Sequence, residues 1–467
     1  MTMAELTLEQ IAALMEGNIL SGRHGLRFSA YGLDSRLITK GSLFFAIKST
    51  RDGHDFVADA ARKGASGAIV SRPVEGVPSS FGMVLVEDTV TALEKLAGAV
   101  LSGRRAGVKV IGITGSVGKT TVKEFTAGLI GRRLRVLKSR QNYNNNLGLS
   151  LSILELEPEH EAAVLEMGMS APGEIIKLTR IARPDVAVIT NVNPVHLSFF
   201  RDLKEIALAK KEILDGAAQG AVAVLNGQDH LLMEVTSAWP GRKILFGKGQ
   251  GFEVRGENIK YRQDGTLEFT LGFGLDSDRI HLEFLNEAII ENLLAAAGAA
   301  MALGLRLNDI MPVISDLRPS ARRGEIHRLR GGTILYDDSY NSNPKAIEYA
   351  LFNLARVPAG RRVAVLADML ELGEQEKDFH KEAGRNLAES GWDILVAVGP
   401  LAAFIAEGAL ESGLKRENVY FFPDSESAAA DMDGIVLPGD LVLVKGSRGM
   451  KTEIIADTLI RDLGEKE

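Results

Sequence analysis

The sequence predicts an α/β protein built from three domains. Three observations predict it: a glycine-rich loop between an apolar run and a helical pattern, a repeated alternation of short apolar runs with helical stretches, and two polar bridges that interrupt that alternation. At 467 residues the chain is long enough for three domains, taking about 150 residues for each. The bridges, SGRRAG at 102–107 and RPSARRG at 318–324, divide it into 1–106, 107–317 and 318–467.

The first stretch opens on MTMAELTLEQIAALMEG, an amphipathic helix with acidic residues and without the basic start and apolar block of a signal peptide. Short strands at 42–47, 67–70 and 83–86, with helical patterns between them, make the N-terminal domain mixed α/β. The central stretch begins with the apolar run 108–113, read as a strand, then the loop Thr114-Gly115-Ser116-Val117-Gly118-Lys119-Thr120, then a helix over 122–129. Strand-like runs at 162–165, 185–190 and 221–225 alternate with helical patterns at 173–180 and 203–214, which predicts a mostly parallel sheet covered by helices. The last stretch repeats the rhythm with strands at 333–336, 362–366, 394–398, 419–421 and 441–444, a Rossmann-like arrangement.

Composition narrows the function. An apolar fraction of 45% supports sizeable cores, and no apolar run is long enough to span a bilayer. The absence of cysteine excludes disulfides and thiolate chemistry, which fits the cytoplasm. A formal charge of −7 without a long basic run argues against nucleic acid as a partner. The expectation is a cytoplasmic enzyme without membrane insertion.

The loop is built to hold nucleotide phosphates. Glycines let the backbone fold tightly so that N–H groups point at phosphate oxygens; the helix N-terminus adds positive potential, Lys119 a charge, and Thr120 a hydroxyl for Mg²⁺. A strict P-loop has glycine where this chain has Ile113, so the loop is shortened. Ligands of open α/β sheets bind beyond the carboxyl ends of strands. Glu166 and His196 follow the strands 162–165 and 185–190, so with Lys119 and Thr120 they point to a Mg²⁺–phosphate site.

Lys210 sits on the helical face defined by Leu203, Ile206, Ala207 and Leu214, whereas Lys211 points elsewhere. It either snorkels or is carbamylated, which would turn a cation into an anionic oxygen ligand. The run Gln141-Asn142-Tyr143-Asn144-Asn145-Asn146 is either a turn-rich loop or a hydrogen-bonding surface for a polar substrate. Asp337-Asp338-Ser339-Tyr340-Asn341-Ser342-Asn343-Pro344 is likewise a helix-capping loop or a ligand-contacting one.

Together these residues resemble the Mur ligases, ATP-dependent amide-forming enzymes of peptidoglycan precursor synthesis. The resemblance covers nearly the whole chain and is strongest to the F-type branch, which adds D-alanyl-D-alanine to UDP-N-acetylmuramoyl-tripeptide. Its markers are DSR (34–36) with LFFAIKSTRDGHDF (43–56), TGSVGKTT (114–121), NYNNNLG (142–148), EMG (166–168), NVNPVHL (191–197) and AKKE (209–212). They continue with RGE (323–325), DDSYNSNP (337–344), ADMLELGE (367–374) and KGSRGM (445–450). The shortened loop is a family trait.

By that resemblance the residues from Gly115, Ser116, Val117 and Gly118 through Lys119, Thr120 and Thr121 bind ATP. Thr120 and Glu166 hold Mg²⁺, His196 helps hold a second, and Lys210 falls at the family's carbamylated lysine. Arg323 and Asp338 reach the nucleotide on domain closure, Ser35 and Arg36 fall where the UDP end is received, and Asn142 and Asn145 face substrate. Tyr340, Asn341 and Asn343 are candidates for the incoming dipeptide. The family usually shows a His-Asn pair near the adenine where this chain has Ala288 and Ile289, so adenine recognition is expected to rest on Asn292 and backbone groups. Ser150 replaces a common proline and Ala367 a common glycine.

The implied chemistry activates a carboxylate as an acyl phosphate, which an amine then attacks. A monomer working on small molecules is expected. The rivals are a sister ligase, such as the diaminopimelate- or lysine-adding Mur enzyme or a folate polyglutamate synthetase, and a non-catalytic nucleotide-dependent switch. DDSYNSNP and DMLELGE argue against the first; the second would make Glu166, His196 and Lys210 incidental.

Overall fold

Three sheets carry the chain in a three-domain α/β architecture. The computed structural model describes residues 6–28, 30–140, 143–194, 199–262, 266–283, 288–318 and 320–464. The N-terminal sheet has five strands in the order Asn18–Ser21, Gly82–Leu85, Gly67–Val70, Ser42–Phe45 and Ala30–Gly32. All neighbours run parallel except the antiparallel pair of Asn18–Ser21 with Gly82–Leu85. The two edge strands are short and half-exposed, so they lack the apolar run that marks the three inner ones. The helix Leu8–Met15 is closed by a capping box of Thr7 and Gln10 and buries Leu8, Ile11 and Met15.

The helix Thr89–Arg104 links the first sheet to the second, and its last turn takes up Ser102, Gly103 and Arg104 of the polar bridge. Its buried Leu93, Leu96 and Leu101 share one apolar core with Leu149, Ile153 and Leu178, so the first two sheets are packed together. Apolar area removed from water holds such a junction.

The central sheet has nine strands, in the order Asp276–Leu282, Leu267–Phe273, Val254–Tyr261, Arg242–Lys248, Val222–Asn226, Val186–Ile189, Lys109–Thr114, Ala162–Glu166 and Val136–Lys138. The last seven run parallel, as the alternating pattern predicts for the four at Lys109–Thr114, Ala162–Glu166, Val186–Ile189 and Val222–Asn226; Val136–Lys138, Arg242–Lys248 and Val254–Tyr261 are additional, and Leu267–Phe273 and Asp276–Leu282 add an antiparallel meander. That meander escapes a reading by apolar runs, because five of the seven residues of Asp276–Leu282 are exposed. From Lys109–Thr114 the chain moves outward on one side and then crosses to Val186–Ile189 on the other. Such a reversal leaves a crevice at the carboxyl ends of the strands.

The C-terminal sheet has the order Glu325–Arg328, Ile334–Asp338, Asp440–Lys445, Arg361–Ala367, Ile394–Val398 and Val419–Phe422, parallel except for its first pair. All five strands expected there are present; Glu325–Arg328, short and without a fully buried residue, is additional. Among the described residues no helix is long and apolar enough to cross a membrane.

Helices Glu376–Glu389 and Ala402–Glu411 cross so closely that a Cβ on Gly384 would lie 1.9 Å from the carbonyl oxygen of Ile405. Helix propensity favours alanine there by about 1 kcal/mol, but a backbone clash in a packed interior outweighs that gain. Gly384→Ala is therefore expected to destabilise the protein by about 2 kcal/mol or more, read from chemical denaturation; a stabilised variant would show that the helices separate freely.

Candidate active site

The loop after Lys109–Thr114 takes its shape from close backbone approach. Gly115 and Gly118 have φ of 150° and 87°. A Cβ on Gly115 would lie 1.9 Å from Thr190 Oγ1, and one on Gly118 would lie 2.2 Å from Asn292 Oδ1. The segment after Val186–Ile189 wraps the loop: Ser116 N–H donates to the Asn191 carbonyl at 3.0 Å and Val117 N–H to Asn191 Oδ1 at 2.9 Å. Thr190 Oγ1 donates to the Val117 carbonyl at 2.6 Å, and Asn193 N–H donates to Ser116 Oγ at 2.8 Å. These loop-shaping roles of Thr190, Asn191 and Asn193 were not legible in sequence, although all three border the predicted strand 185–190.

Lys119 opens the helix Lys119–Ile130, and its ammonium folds back onto the carbonyls of Gly115 (2.8 Å) and Ser116 (3.2 Å). Burial lowers its pKa; Glu166 opposes that shift and Arg323 adds to it. One residue on, Thr120 Oγ1 donates to Glu166 Oε2 at 2.8 Å. Glu166 ends its strand at 2% exposure, its Oε1 accepting from Asn144 Nδ2 at 3.1 Å and its N–H donating to Ser139 Oγ at 3.1 Å. Thr120 and Glu166 thus present hard oxygen donors beside the loop, the type Mg²⁺ takes.

The asparagine run forms a helix-capping turn and reaches the cleft. Asn145 caps the helix Asn146–Leu154 by accepting from Gly148 N–H at 2.9 Å, and it also lines the cleft. The substrate candidate Asn142 lies outside the described residues. Asn144, which composition could not single out from its neighbours, is the one that holds Glu166. His196 also lies outside the described residues.

Lys210 is 1% exposed on the helix Leu203–Asp215 and makes no hydrogen bond or ion pair with a described residue. Burial, with the charge of Lys119 second, holds its pKa well below the ordinary lysine value. The buried face runs through Ile206, Lys210 and Ile213; Leu203, expected on it, is 40% exposed because it begins the helix at the edge of the core. Lys211 points outward to Asp215, as expected.

Across the loop stands the C-terminal sheet, and together they enclose a cleft of about 630 Å³. Arg323, Asp338, Tyr340, Asn341, Asn343 and Arg448 line it from that side, facing the loop residues 116–121. The Arg323 guanidinium stacks 3.8 Å from the centre of the Tyr340 ring. Asp338 is ion-paired to the buried Lys445, and Asn343 caps the helix Pro344–Leu354 by accepting from Ala346 N–H at 2.9 Å. Ile289 and Asn292 line the cleft at the start of the alanine-rich helix. Tyr349 and Lys445 line it too, without having been expected there.

Ser35 and Arg36 do not line this cleft. Ser35 donates to Asp59 at 2.9 Å in the N-terminal sheet's periphery, and Arg36 forks onto Asp34, whose pKa it holds at about 2.

Comparison with known proteins agrees with this arrangement. Residues 113–300 match the Mur ligase middle domain and residues 322–448 the Mur ligase glutamate ligase domain. The chain is 34% identical over 461 residues to the UDP-N-acetylmuramoyl-tripeptide--D-alanyl-D-alanine ligase of Bacillus subtilis, covering 98% of this chain and 99% of that protein. It resembles the crystal structure of MurF from Acinetobacter baumannii with a TM-score of 0.88 at 30% identity, over 98% of this chain and 100% of that one. A MurF ligase of Thermotoga maritima in complex with ADP gives a TM-score of 0.81 at 32% identity, over 93% and 97%.

Gly118→Ala tests the loop geometry. The left-handed backbone alone costs an alanine about 1–2 kcal/mol, and the new Cβ meets Asn292. A loop driven out of its binding shape is expected to lose about tenfold or more in affinity for a nucleoside diphosphate, measured by calorimetric titration. Unchanged affinity would show that the phosphate site does not depend on this turn.

Proposed function

The chain belongs to the Mur ligase family, and we propose that it joins D-alanyl-D-alanine to UDP-N-acetylmuramoyl-tripeptide at the expense of ATP. The observation that carries this reading is the single cleft that sets a phosphate-binding loop against the polar acceptor loop 338–343. The proposed division of labour follows the three sheets: 1–106 receives the UDP end through the region of Ser35 and Arg36, 107–317 binds ATP, and 318–467 meets the nucleotide and the dipeptide. An intermediate of precursor synthesis as substrate and the lack of cysteine support a cytoplasmic enzyme, proposed to work as a monomer.

The reaction starts with the terminal carboxylate of the tripeptide attacking the γ-phosphorus of ATP. A carboxylate is a poor acyl donor because its leaving oxygen is too basic, and phosphorylation removes that obstacle. The loop N–H groups, the helix N-terminus and Lys119 hold the phosphates and offset charge on the transferred group. Thr120 and Glu166 would hold Mg²⁺, with Asn144 and Ser139 fixing the Glu166 carboxylate; when bound, the ion neutralises phosphate charge. His196 is proposed to help hold a second ion. The free amine of D-alanyl-D-alanine attacks the acyl phosphate carbonyl, and the tetrahedral intermediate collapses to amide and inorganic phosphate. Closing the cleft through Arg323 and Asp338 excludes the water that would hydrolyse the acyl phosphate.

Lys210 completes the proposal. Carbamylation joins an unprotonated amine to CO₂ with loss of one proton, and the burial that lowers the Lys210 pKa favours that amine. The product is an anion near Lys119, and the two charges attract. Its 1% exposure supports this reading over snorkelling.

Purified protein is expected to release phosphate only when ATP, UDP-muramoyl-tripeptide and D-alanyl-D-alanine are all present. Release with ATP alone, or with a free amino acid as acceptor, overturns the reading. Lys210→Ala is expected to lose activity by about 10³-fold or more, in line with removal of a group that organises charge at the reacting phosphoryl, and short carboxylic acids are expected to restore part of it. In CO₂-free buffer Lys210→Met is expected to unfold at a higher temperature than the wild type, since an unpaired buried amine is a cost. Full activity in the alanine variant would remove the carbamate from the mechanism.

A further inference from the structure

The cleft is lined by four cationic side chains, Lys119, Arg323, Lys445 and Arg448. Two of them, Lys119 and Lys445, are already committed, and Arg323 stands beside Lys119 at the phosphate end. Lys119 is folded onto the phosphate loop. Arg323 lies near enough to act on Lys119, and its guanidinium is stacked on Tyr340. Lys445 is 2% exposed, ion-paired to Asp338 and donating to the Asn341 carbonyl at 3.0 Å, so it shapes the acceptor loop and carries no spare charge.

Arg448 differs. It sits in the turn after the strand Asp440–Lys445, with its side chain 56% exposed. Glu453 pins one guanidinium nitrogen at 2.9 Å, and the ring of Tyr340 lies 5.5 Å away. Its backbone N–H faces Asn341 Oδ1 at 3.4 Å, which ties the arginine to the acceptor loop. The remaining nitrogens have no other partner among the described residues, and the pair with Glu453 holds the fork in one orientation.

Resting on the reaction proposed above, we propose that Arg448 binds the C-terminal carboxylate of the incoming dipeptide and so selects a dipeptide acid. The dipeptide carries one anionic group, at the end away from its nucleophilic amine. Two residues extended span about 7 Å, so an amine at the acyl carbon leaves that carboxylate well separated from the reacting phosphoryl group, and Arg448 is the exposed cation tied to the loop 338–343. A carboxylate taken into a closing cleft requires a cation, and a planar guanidinium matches it through two parallel hydrogen bonds, which an ammonium does not.

The test is steady-state phosphate release with D-alanyl-D-alanine and with its C-terminal amide. The wild type is expected to favour the acid, and Arg448→Ala to raise the KM for the acid by about 30-fold or more, the loss expected for a charge-assisted pair. The KM values for the amide, ATP and the UDP substrate should stay within about twofold, and Arg448→Lys should recover part of the preference for the acid. Equal loss on acid and amide, or an unchanged acid KM in Arg448→Ala, overturns the assignment, the former by showing a merely structural role. Wild-type protein that releases no phosphate with either dipeptide overturns the parent reaction and this assignment with it.

Discussion

How closely the backbone from Gly115 to Gly118 can approach its neighbours governs the whole cleft. Thr190 stands against the first glycine and Asn292 against the second, so strand end, loop and alanine-rich helix are locked at distances that tolerate no side chain. The carbonyls turned inward by that fold are the ones that receive Lys119. The helix then starts where Thr120 can reach Glu166 on the adjacent strand. A loop one residue longer or bulkier would separate the hydroxyl from the carboxylate and dismantle the oxygen donor pair.

Around this fixed point the protein keeps several buried cations, and it treats them differently. Lys123, one turn beyond Lys119 and 1% exposed, donates to the Ser139 carbonyl at 2.8 Å and pairs with Glu124 at 3.1 Å. Ser139 in turn accepts the Glu166 N–H, so a satisfied buried charge braces the acidic residue. Lys445 is satisfied by Asp338 in the same manner. Lys210 has no such partner among the described residues, and Lys119 donates to carbonyls with the Glu166 charge acting on it. Burying a charge without a counter-ion is costly, which is the physical basis for the phosphate and the carbamate proposed at these two side chains.

Much of the fold was legible because apolar β-branched runs survive wherever a strand is buried on both faces. The inner strands of the N- and C-terminal sheets read that way, as did four of the central sheet and the helix carrying Lys210; the inner strand Arg242–Lys248, only partly buried, did not. The meander over 254–282 did not, because it is polar on its outer face. Nor did the N-terminal edge strands, whose residues are half in water. At the site, Lys119, Thr120 and Glu166 were legible from their positions after strands. Asn144 was not, because four asparagines close together in sequence are chemically alike until the strand register puts one of them beside Glu166. Lys445 and Arg448 were visible only as letters of a motif.

By itself the sequence determined the three α/β units, the shortened phosphate loop and the residue types gathered at the strand ends, since these depend on local pattern and on chain order. Only the tertiary structure decided that Asn292 closes the loop, that Lys210 is without a described partner, and that the Arg448 guanidinium, held by Glu453, stays more than half exposed on the C-terminal wall of the cleft. Those outcomes depend on distances between segments far apart in the chain, and packing and burial set such distances where no local preference can.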